Sequence, residues 1–236
     1  MVKKSMCGRY SITTSTEALR RLFSFDDLPN LQPRYNLAPT QMAPVIRERD
    51  GARRLDMLRW GLLPKWSKDA SGGAKMINAR SETIAEKSAF RDAFRARRCL
   101  VPADGFYEWQ VRGKTKQPFR IARRDGEAFA FAGLWESWVN PDGGPNDNHA
   151  TVETYTIATV VASPAIAHIH QRMPVILASE DHHAWLRGGA TQALSLLRPL
   201  PDAELQSFEV SPRVGNVTND DASLLTPYQE REPMLF

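Results

Sequence analysis

Residues 98–134 read RCLVPADGFYEWQVRGKTKQPFRIARRDGEAFAFAGL, and this stretch decides the fold. It holds four short runs rich in β-branched and aromatic residues: Arg98-Val101, Phe106-Val111, Pro118-Ala122 and Ala128-Leu134. Such runs are typical of β-strands, and Asp125-Gly126 between the last two is a turn signal. Comparable runs outside the stretch are Ala43-Arg47, Leu55-Trp60, Thr154-Val161 and Val175-Leu177. The sequence therefore predicts a sheet-rich fold.

Three other stretches carry the spacing of amphipathic helices. The first runs from Thr16 to Phe23, with Ser15 or Thr16 as its N-cap, and the second from Ser81 or Glu82 to Arg97. The third lies around Glu180-Leu186. Because their apolar faces should pack on a sheet, we predict a single α+β domain.

Two polar segments have no such pattern. Residues 140–148 form a turn-rich insertion, and strand-like sequence resumes directly after it, so we predict a loop within the domain and not a linker. The tail after about Asp220 is expected to be a loosely packed surface arm.

Composition excludes several classes of protein. The chain has 236 residues, of which 42% are hydrophobic and 25% charged. No run approaches the ~18 apolar residues that span a bilayer, and the start lacks the apolar stretch of a secretory signal. We therefore expect a cytoplasmic protein with no membrane partner. Cys7 and Cys99 are too few for a disulfide framework and lack zinc-ligand spacing.

The positive charge is unevenly distributed. The net charge is only +4, yet six basic residues and no acid lie between Val111 and Arg124. Such a cluster can neutralise phosphates, although solvated surfaces also have this density of charge. The pattern permits a polyanionic partner without requiring one.

The dipeptide Met6-Cys7 is the clearest chemical signal. If Cys7 becomes the first residue, it carries both a thiol and a free α-amine. An aldehyde condenses with the amine to a Schiff base, and the sulfur then closes on the imine carbon to form a thiazolidine. The alternative is a small buried cysteine at the start of a first strand.

Further polar residues have both a functional and a structural interpretation. Asn78 and Arg80 precede a predicted helix, where backbone N–H groups suit a phosphate, although Asn78 could merely cap that helix. Glu108 lies among aromatic residues, where desolvation would raise its pKa and make it a proton donor; otherwise it faces water at a sheet edge.

Alternation places His170 and Arg172 on the same side of a strand. The two histidines of this segment lack a third ligand with suitable spacing, so we expect no metal. Trp60 and Trp66 flank a loop that contains Pro and Gly; exposed tryptophans there could stack on unpaired bases, whereas buried ones would fill the core.

Seven sequence blocks in this order resemble those of SRAP-domain proteins, the SOS-response-associated peptidase family. They are Met6-Cys7-Gly8-Arg9-Tyr10, Arg34 to Gln41, Trp60-Gly61-Leu62, Asn78 to Glu82, Gly105 to Trp109, Ala132 to Trp135 and His170 to Pro174. The resemblance runs from Met6 to about Asp221. It implies one α+β domain with a barrel-like branched β-sheet, flanking helices and a positively charged groove.

The resemblance also implies a function. The protein would bind abasic sites in single-stranded DNA, including single-strand–double-strand junctions. It would attach to the lesion as a thiazolidine through N-terminal Cys7 and shield it during the SOS response. We accordingly expect a nucleoid-associated monomer that uses no cofactor.

Residue roles carry over from the matching blocks. The implied catalytic residues are Cys7, Asn78, Glu108 and His170; Glu108 would shuttle the proton that opens the sugar ring, Asn78 would orient the Cys7 amine or a phosphate, and His170 would move protons. The implied DNA contacts are Arg9, Asn36, Pro39, Trp60, Trp66, Arg80 and Arg172. The arginines would hold phosphates, and the tryptophan loop would wedge against bases.

One departure from the family concerns the start of the chain. The family's cysteine directly follows the initiator methionine, whereas Met-Val-Lys-Lys-Ser precedes Met6 here. Either translation starts at Met6, or the extension is removed by proteolysis. We therefore divide the chain into an extension (1–6), a SRAP domain (7–221) and a tail (222–236). If the extension persists, only a thiol adduct could form.

Two rival functions follow from the same residues. Cys7, Glu108 and His170 could form a peptidase that cleaves only its own N-terminal segment, or the protein could be a non-catalytic single-strand binder. A metal hydrolase is a third.

Overall fold

The computed structural model describes residues 7–26, 29–141 and 151–228, so most of the predicted insertion lies outside the described residues. Thirteen strands are present in the described residues: β1 Tyr10–Ile12, β2 Arg34–Leu37, β3 Met42–Arg49, β4 Ala52–Trp60, β5 Asn78–Arg80, β6 Arg98–Ala103, β7 Gly105–Arg112, β8 Thr115–Arg123, β9 Phe129–Val139, β10 Thr151–Val161, β11 Arg172–Pro174, β12 Ile176–Leu177 and β13 Leu205–Glu209. All eight predicted strands are confirmed, most of them longer than predicted.

Five strands close into a barrel. β4 pairs antiparallel with β3, β3 with β6, β6 with β9 and β9 with β10, and a parallel pair between β10 and β4 closes the ring. β10 also pairs with β5 and β11, while β12 extends the sheet beyond β9. Together these pairings confirm the predicted barrel-like branched sheet.

A second, antiparallel sheet has the strand order β13-β8-β7-β1-β2. It shares its core with the barrel through aromatic rings: Tyr10 of β1 and Phe106 of β7 lie 5.8 and 5.9 Å from Phe131 of β9, between ring centroids. These rings are buried. The two sheets therefore meet along β1 and β7, the strands that follow and oppose Cys7.

Five helices occur in the described residues: α1 Thr16–Phe23, α2 Arg91–Ala96, α3 Pro164–Ala167, α4 His182–Arg187 and α5 Ala190–Ser195. α1 has the predicted bounds, and its predicted cap Ser15 accepts a hydrogen bond from the backbone N–H of Ala18. The predicted third helix is α4, which starts two residues late because Ser179–Asp181 forms a 3-10 turn. None of these helices is long and apolar enough to cross a membrane.

The predicted second helix is wrong over residues 81–90, which form successive turns before α2 begins at Arg91. The reason is tertiary. Ile84 is buried in the core, and the Glu82 carboxylate forms an ion pair with Arg172, which is distant in sequence. A continuous helix over residues 81–90 would not allow both of these contacts. Tertiary contacts of this kind outweigh helix propensity.

The expectation of a loosely packed arm is wrong for residues 222–228. Ala222–Leu225 forms a 3-10 helix with Leu224 fully buried, and the N–H of Tyr228 donates to the carbonyl of Glu209 at 2.8 Å. Upstream of them, Asp220 accepts hydrogen bonds from the N–H groups of Tyr35 and Asn36, which attaches this segment to β2.

Candidate active site

Pairing of β1 with β7 brings Cys7 to Glu108. Tyr10 lies opposite Phe106, and the N–H of Tyr107 donates to the carbonyl of Arg9 at 3.0 Å, so the same register carries Cys7 to the neighbourhood of Glu108. There the backbone nitrogen of Cys7 donates to Glu108 Oε1 at 2.7 Å. Sheet register thus joins two residues that are 101 positions apart.

The barrel supplies Asn78 and His170. Asn78 opens β5, opposite Ile157 of β10, and its Nδ2 donates to the carbonyl of Cys7 at 3.3 Å. His170 precedes β11, and its Nδ1 lies 4.0 Å from Glu108 Oε1. All four residues predicted as catalytic therefore converge where the two sheets meet.

Burial sets the protonation of Glu108. The residue is 2% exposed, so the interpretation as a water-facing edge glutamate is wrong. Desolvation raises the pKa of Glu108 to about 8, and hydrogen bonds from the N–H groups of Cys7 and Trp109 offset only part of this rise. At neutral pH the carboxyl is mostly protonated, which makes it a proton donor beside the Cys7 nitrogen.

Burial also keeps the Cys7 thiol neutral. The residue is 1% exposed, and desolvation, reinforced by the Glu108 carboxyl, raises the thiol pKa well above its usual range. The thiol needs a neighbouring base to become a thiolate. Cys99 is buried in β6 and is a core residue.

A cleft of about 380 Å³ leads to Glu108 and His170 from the surface. Its walls come from both sheets and from the segment after β13, and they consist of Gly8, Arg9, Pro39, Glu108, Trp109, Val111, Lys116, His170 and Gly215. Pro39 is half-buried in this wall. Arg9 and Lys116 give the cleft a positive charge, which suits an anionic ligand.

Arg9 is held at the cleft by uncharged acceptors. Its Nη1 donates to the carbonyl of Val214 at 2.8 Å and to Asn36 Oδ1 at 3.3 Å, and its Nη2 donates to the carbonyl of Gly215 at 3.4 Å. Burial lowers the pKa of Arg9, but a guanidinium remains charged at neutral pH. The positive charge is thus oriented without being neutralised by these contacts.

Asn36 is a structural residue, so its prediction as a DNA contact is wrong. Its side chain is fully buried, and Nδ2 donates to the carbonyls of Val214, Asn216 and Asn219. Through these bonds it holds residues 212–220, which we call the C-terminal wall, against β2. Asp220 fastens the same wall by accepting from Arg34 Nε at 2.7 Å. The sequence has no local signal for either role, because the partners are about 180 positions away.

The two tryptophans differ. Trp60 is fully buried, donates its indole N–H to the carbonyl of Ile77 at 2.9 Å and packs against Tyr10 and Tyr155. The prediction that Trp60 contacts bases is therefore wrong, because the ring fills the core below the site. Trp66 is 61% exposed and is available for stacking.

Residues 62–72, which we call the Trp66 loop, begin and end beside two glycines, Gly61 and Gly73, whose backbones lie close together. Gly61 has φ +117°, and a Cβ there would lie 2.5 Å from the carbonyl oxygen of Gly73. Only glycine allows the two backbone segments to approach this closely. The N–H of Leu62 then donates to the carbonyl of Met76 at 3.1 Å. The loop between them therefore projects from the sheet with Trp66 on it.

Two predicted phosphate ligands lie beside Thr159 of β10. Arg80 pairs with Thr159 in the sheet and is exposed. Arg172 Nη2 donates to the Thr159 carbonyl at 2.6 Å, while its guanidinium is bound by Glu82. Within the described chain, no group of three or more His, Cys, Asp or Glu residues is arranged to hold a metal ion.

Comparison with known proteins gives a consistent result. A family model described as "SOS response associated peptidase (SRAP)" matches residues 6–217. The abasic site processing protein YoqW of Bacillus subtilis is 40% identical over 227 residues, covering 93% of this chain and 99% of that protein. The abasic site processing protein YedK of Escherichia coli is 32% identical over 232 residues, covering 94% of this chain and 100% of that protein.

A solved structure also has this fold. A crystal structure of a protein from Bacteroides thetaiotaomicron superposes with a TM-score of 0.84 at 24% identity, covering 94% of this chain and 100% of the other. At this level of identity the likeness concerns the fold alone.

Proposed function

The chain belongs to the SOS response associated peptidase (SRAP) family, and from this premise we propose that it processes abasic sites in single-stranded DNA by a covalent link through Cys7. One observation carries the proposal: the Cys7 nitrogen donates a hydrogen bond to Glu108 Oε1 at 2.7 Å. Schiff-base formation needs an acid that protonates the departing hydroxyl, and a carboxyl beside the attacking nitrogen is close enough to do so. The relatives named as abasic site processing proteins support the same substrate.

The reaction begins with opening of the sugar. An abasic deoxyribose is mainly a closed hemiacetal, and proton transfer by Glu108 opens it to the aldehyde. The amine of Cys7 adds to the aldehyde carbon, and Glu108 protonates the resulting hydroxyl, which leaves as water. The imine carbon then accepts Cys7 Sγ, and the thiol proton passes to the imine nitrogen. The sum is one thiazolidine and one water.

Neighbouring residues orient these steps. Asn78 holds the Cys7 carbonyl, and His170, 4.0 Å from the Glu108 oxygen, moves protons between the site and the cleft. Arg9, Lys116, Arg80 and Arg172 provide positive charge along the strand's path, and binding should therefore weaken with salt. Trp66 stacks on a base beside the lesion.

A free amine requires that the peptide bond before Cys7 is absent. Self-cleavage is a second candidate activity, and the same hydrogen bond favours it, since Glu108 contacts the nitrogen that would leave. In this reaction Cys7 Sγ attacks the carbonyl of residue 6 and Glu108 protonates the departing nitrogen, while the thiol proton passes to Glu108 and restores its carboxyl. Water then hydrolyses the thioester to a carboxylic acid and the free thiol. The products are residues 1–6 and a chain that begins at Cys7, in agreement with the proposed division at residue 7.

The decisive experiment uses single-stranded DNA with one abasic site. We expect a heat-stable adduct whose intact mass equals the Cys7-started chain plus DNA, less one water. Cys7→Ala should give none, whereas the matched control Cys99→Ala, a buried cysteine in the core, should give it normally. No adduct from a chain verified to begin at Cys7 would contradict the proposal and favour a non-catalytic binder.

A further inference from the structure

Glu82 and Arg172 form a two-point ion pair beside the site. Arg172 Nη1 donates to Glu82 Oε1 at 2.7 Å, and Nη2 donates to Oε2 at 2.9 Å. The two side chains differ in mobility, because Arg172 is 13% exposed and also bound to the Thr159 carbonyl, whereas Glu82 is 48% exposed. If the pair opens, Glu82 is the partner that moves.

The pair lies directly beside the catalytic residues. The backbone N–H of Arg172 donates to His170 Nδ1 at 3.1 Å. The residue that carries the guanidinium therefore also orients the ring of His170. Arg80, in the same strand as Asn78, lies across Thr159 from it. The hydrogen bond from Arg172 and, more weakly, the positive charges of Arg172 and Arg80 keep the pKa of Glu82 below its ordinary value. Glu82 is thus a carboxylate facing two cations.

A carboxylate and a phosphate use the same edge of a guanidinium. Each offers two oxygens in the spacing that the two N–H donors require. We call the Nη1 and Nη2 donors of Arg172 the Arg172 fork; a carboxylate and a phosphate cannot occupy it at the same time. A phosphate that takes the Arg172 fork also brings its charge close to the displaced carboxylate. Glu82 therefore opposes strand binding both by competition and by repulsion.

We propose that Glu82 is a specificity residue, whose carboxylate occupies the Arg172 fork and must be displaced by a DNA phosphate. The inference rests on the proposed function and assigns a role to a residue that the reaction itself does not use. The Glu82 carboxylate opposes the binding of every DNA strand, damaged or undamaged. Only an abasic strand has a covalent step that compensates for it, so undamaged strands are released.

The test is binding of undamaged, fluorescently labelled oligodeoxythymidine to Glu82→Gln across a range of salt. We expect Glu82→Gln to bind about fivefold more tightly than the unchanged protein near 0.1 M salt. We also expect the slope of log K against log salt to steepen by ~0.7, the value for one more neutralised phosphate on a single strand. Glu86→Gln is the matched control, because it removes one exposed carboxylate from the same run of turns.

Three results would overturn the inference. Equal affinity and slope for Glu82→Gln and Glu86→Gln would mean that only net charge matters. Weaker binding by Glu82→Gln would mean that Glu82 holds Arg172 in place for the phosphate. In an Arg172→Gln background the effect of Glu82→Gln should fall to that of Glu86→Gln, and a larger remaining effect would also contradict the inference.

This titration is independent of the crosslinking reaction. The proposed function fails if the abasic strand gives no adduct with the Cys7-started chain. The Glu82 inference fails if Glu82→Gln leaves binding of the undamaged strand unchanged. Tighter binding by Glu82→Gln together with no adduct would support the Glu82 inference and contradict only the crosslinking assignment.

Discussion

Asp104 and Glu108 lie four positions apart, just before and within β7, and both are buried carboxyls with 7% and 2% exposure. Asp104 is surrounded by donors: it accepts from Ser11 Oγ at 2.6 Å, from Thr13 Oγ1 at 2.8 Å and from the backbone N–H of Thr13, with two further bonds from Thr14. Glu108 accepts from the backbone N–H groups of Cys7 and Trp109, and the ring of His170 lies farther away, with Nδ1 4.0 Å from Oε1.

The difference shows what separates a structural carboxyl from a reactive one. Hydrogen bonds to Asp104 replace the water that burial removes. They also connect the residue before β7 to Ser11 of β1 and to Thr13 and Thr14, which precede α1. Glu108 lacks such compensation, so its proton is retained and is available for transfer. Burial alone does not distinguish the two; the number and kind of donors do.

The largest expected effect is that of Glu108→Gln on chemistry. An amide still accepts the Cys7 N–H but cannot give and regain a proton, so the rate of adduct formation should fall by roughly 100-fold or more. Thermal stability should change little, because the amide carries no charge to desolvate. A time course of adduct formation measures this, and a rate within about threefold of the unchanged protein would make Glu108 a structural residue like Asp104.

Asp104→Asn should show the opposite behaviour. Its amide presents N–H groups to several donors, so the free energy of unfolding should fall by roughly 2–3 kcal/mol, with the adduct rate per folded molecule unchanged. Urea denaturation followed by fluorescence measures the first quantity. A loss below about 0.5 kcal/mol, the range of ordinary surface substitutions, would show that the donors around Asp104 do not depend on its charge.

The pH dependence of stability tests the raised pKa of Glu108. The pKa of Glu108 in the folded state is about 8, above its ordinary value of ~4.3, so between these values the folded protein binds more protons than the unfolded chain. The contribution of Glu108 to stability is therefore fully present below pH ~4 and is lost as pH rises through about 8, by up to ~1.4 kcal/mol per pH unit. Denaturation at a series of pH values should show this fall, and Glu108→Gln should abolish it. An identical slope in both proteins would contradict the raised pKa.

Ser11→Ala is the smallest of these changes. It removes one of the hydrogen bonds to Asp104, so we expect a loss of about 1 kcal/mol in unfolding free energy and no change in the adduct rate. The same denaturation experiment measures it. A loss as large as that of Asp104→Asn would show that Ser11 alone, and not the set of donors, stabilises the carboxylate.

Local patterns were sufficient for much of the fold. The bounds of α1 and its Ser15 cap depend on neighbouring residues, and runs of β-branched and aromatic residues predicted eight of the thirteen strands of the described chain. The five missed strands are short, with three to five residues each, and they exist because partners elsewhere pair with them. The helix predicted over 81–90 failed for a similar reason, since Glu82 is held by a residue 90 positions away.

For the site, the sequence indicated which residues meet but not how each is used. The resemblance named Cys7, Asn78, Glu108 and His170 as one set, and sheet register brings these four residues together in the structure. It could not distinguish Trp60 from Trp66, because burial depends on what packs above each ring. Nor could it show that the amide of Asn36 is used up by backbone carbonyls of the C-terminal wall.

The C-terminal wall is synthesised long after Cys7, so the cleft cannot form until late in translation. Arg9 and the Val214 carbonyl that orients it are 205 positions apart. A ribosome adds about 5–20 residues per second, so residue 9 exists for roughly 10–40 s before residue 214 is made. Throughout this interval the nascent chain has the Cys7 thiol but no cleft around it. Assembly of the cleft around Cys7 is therefore a post-translational event, which is complete only after nearly all of the chain has been made.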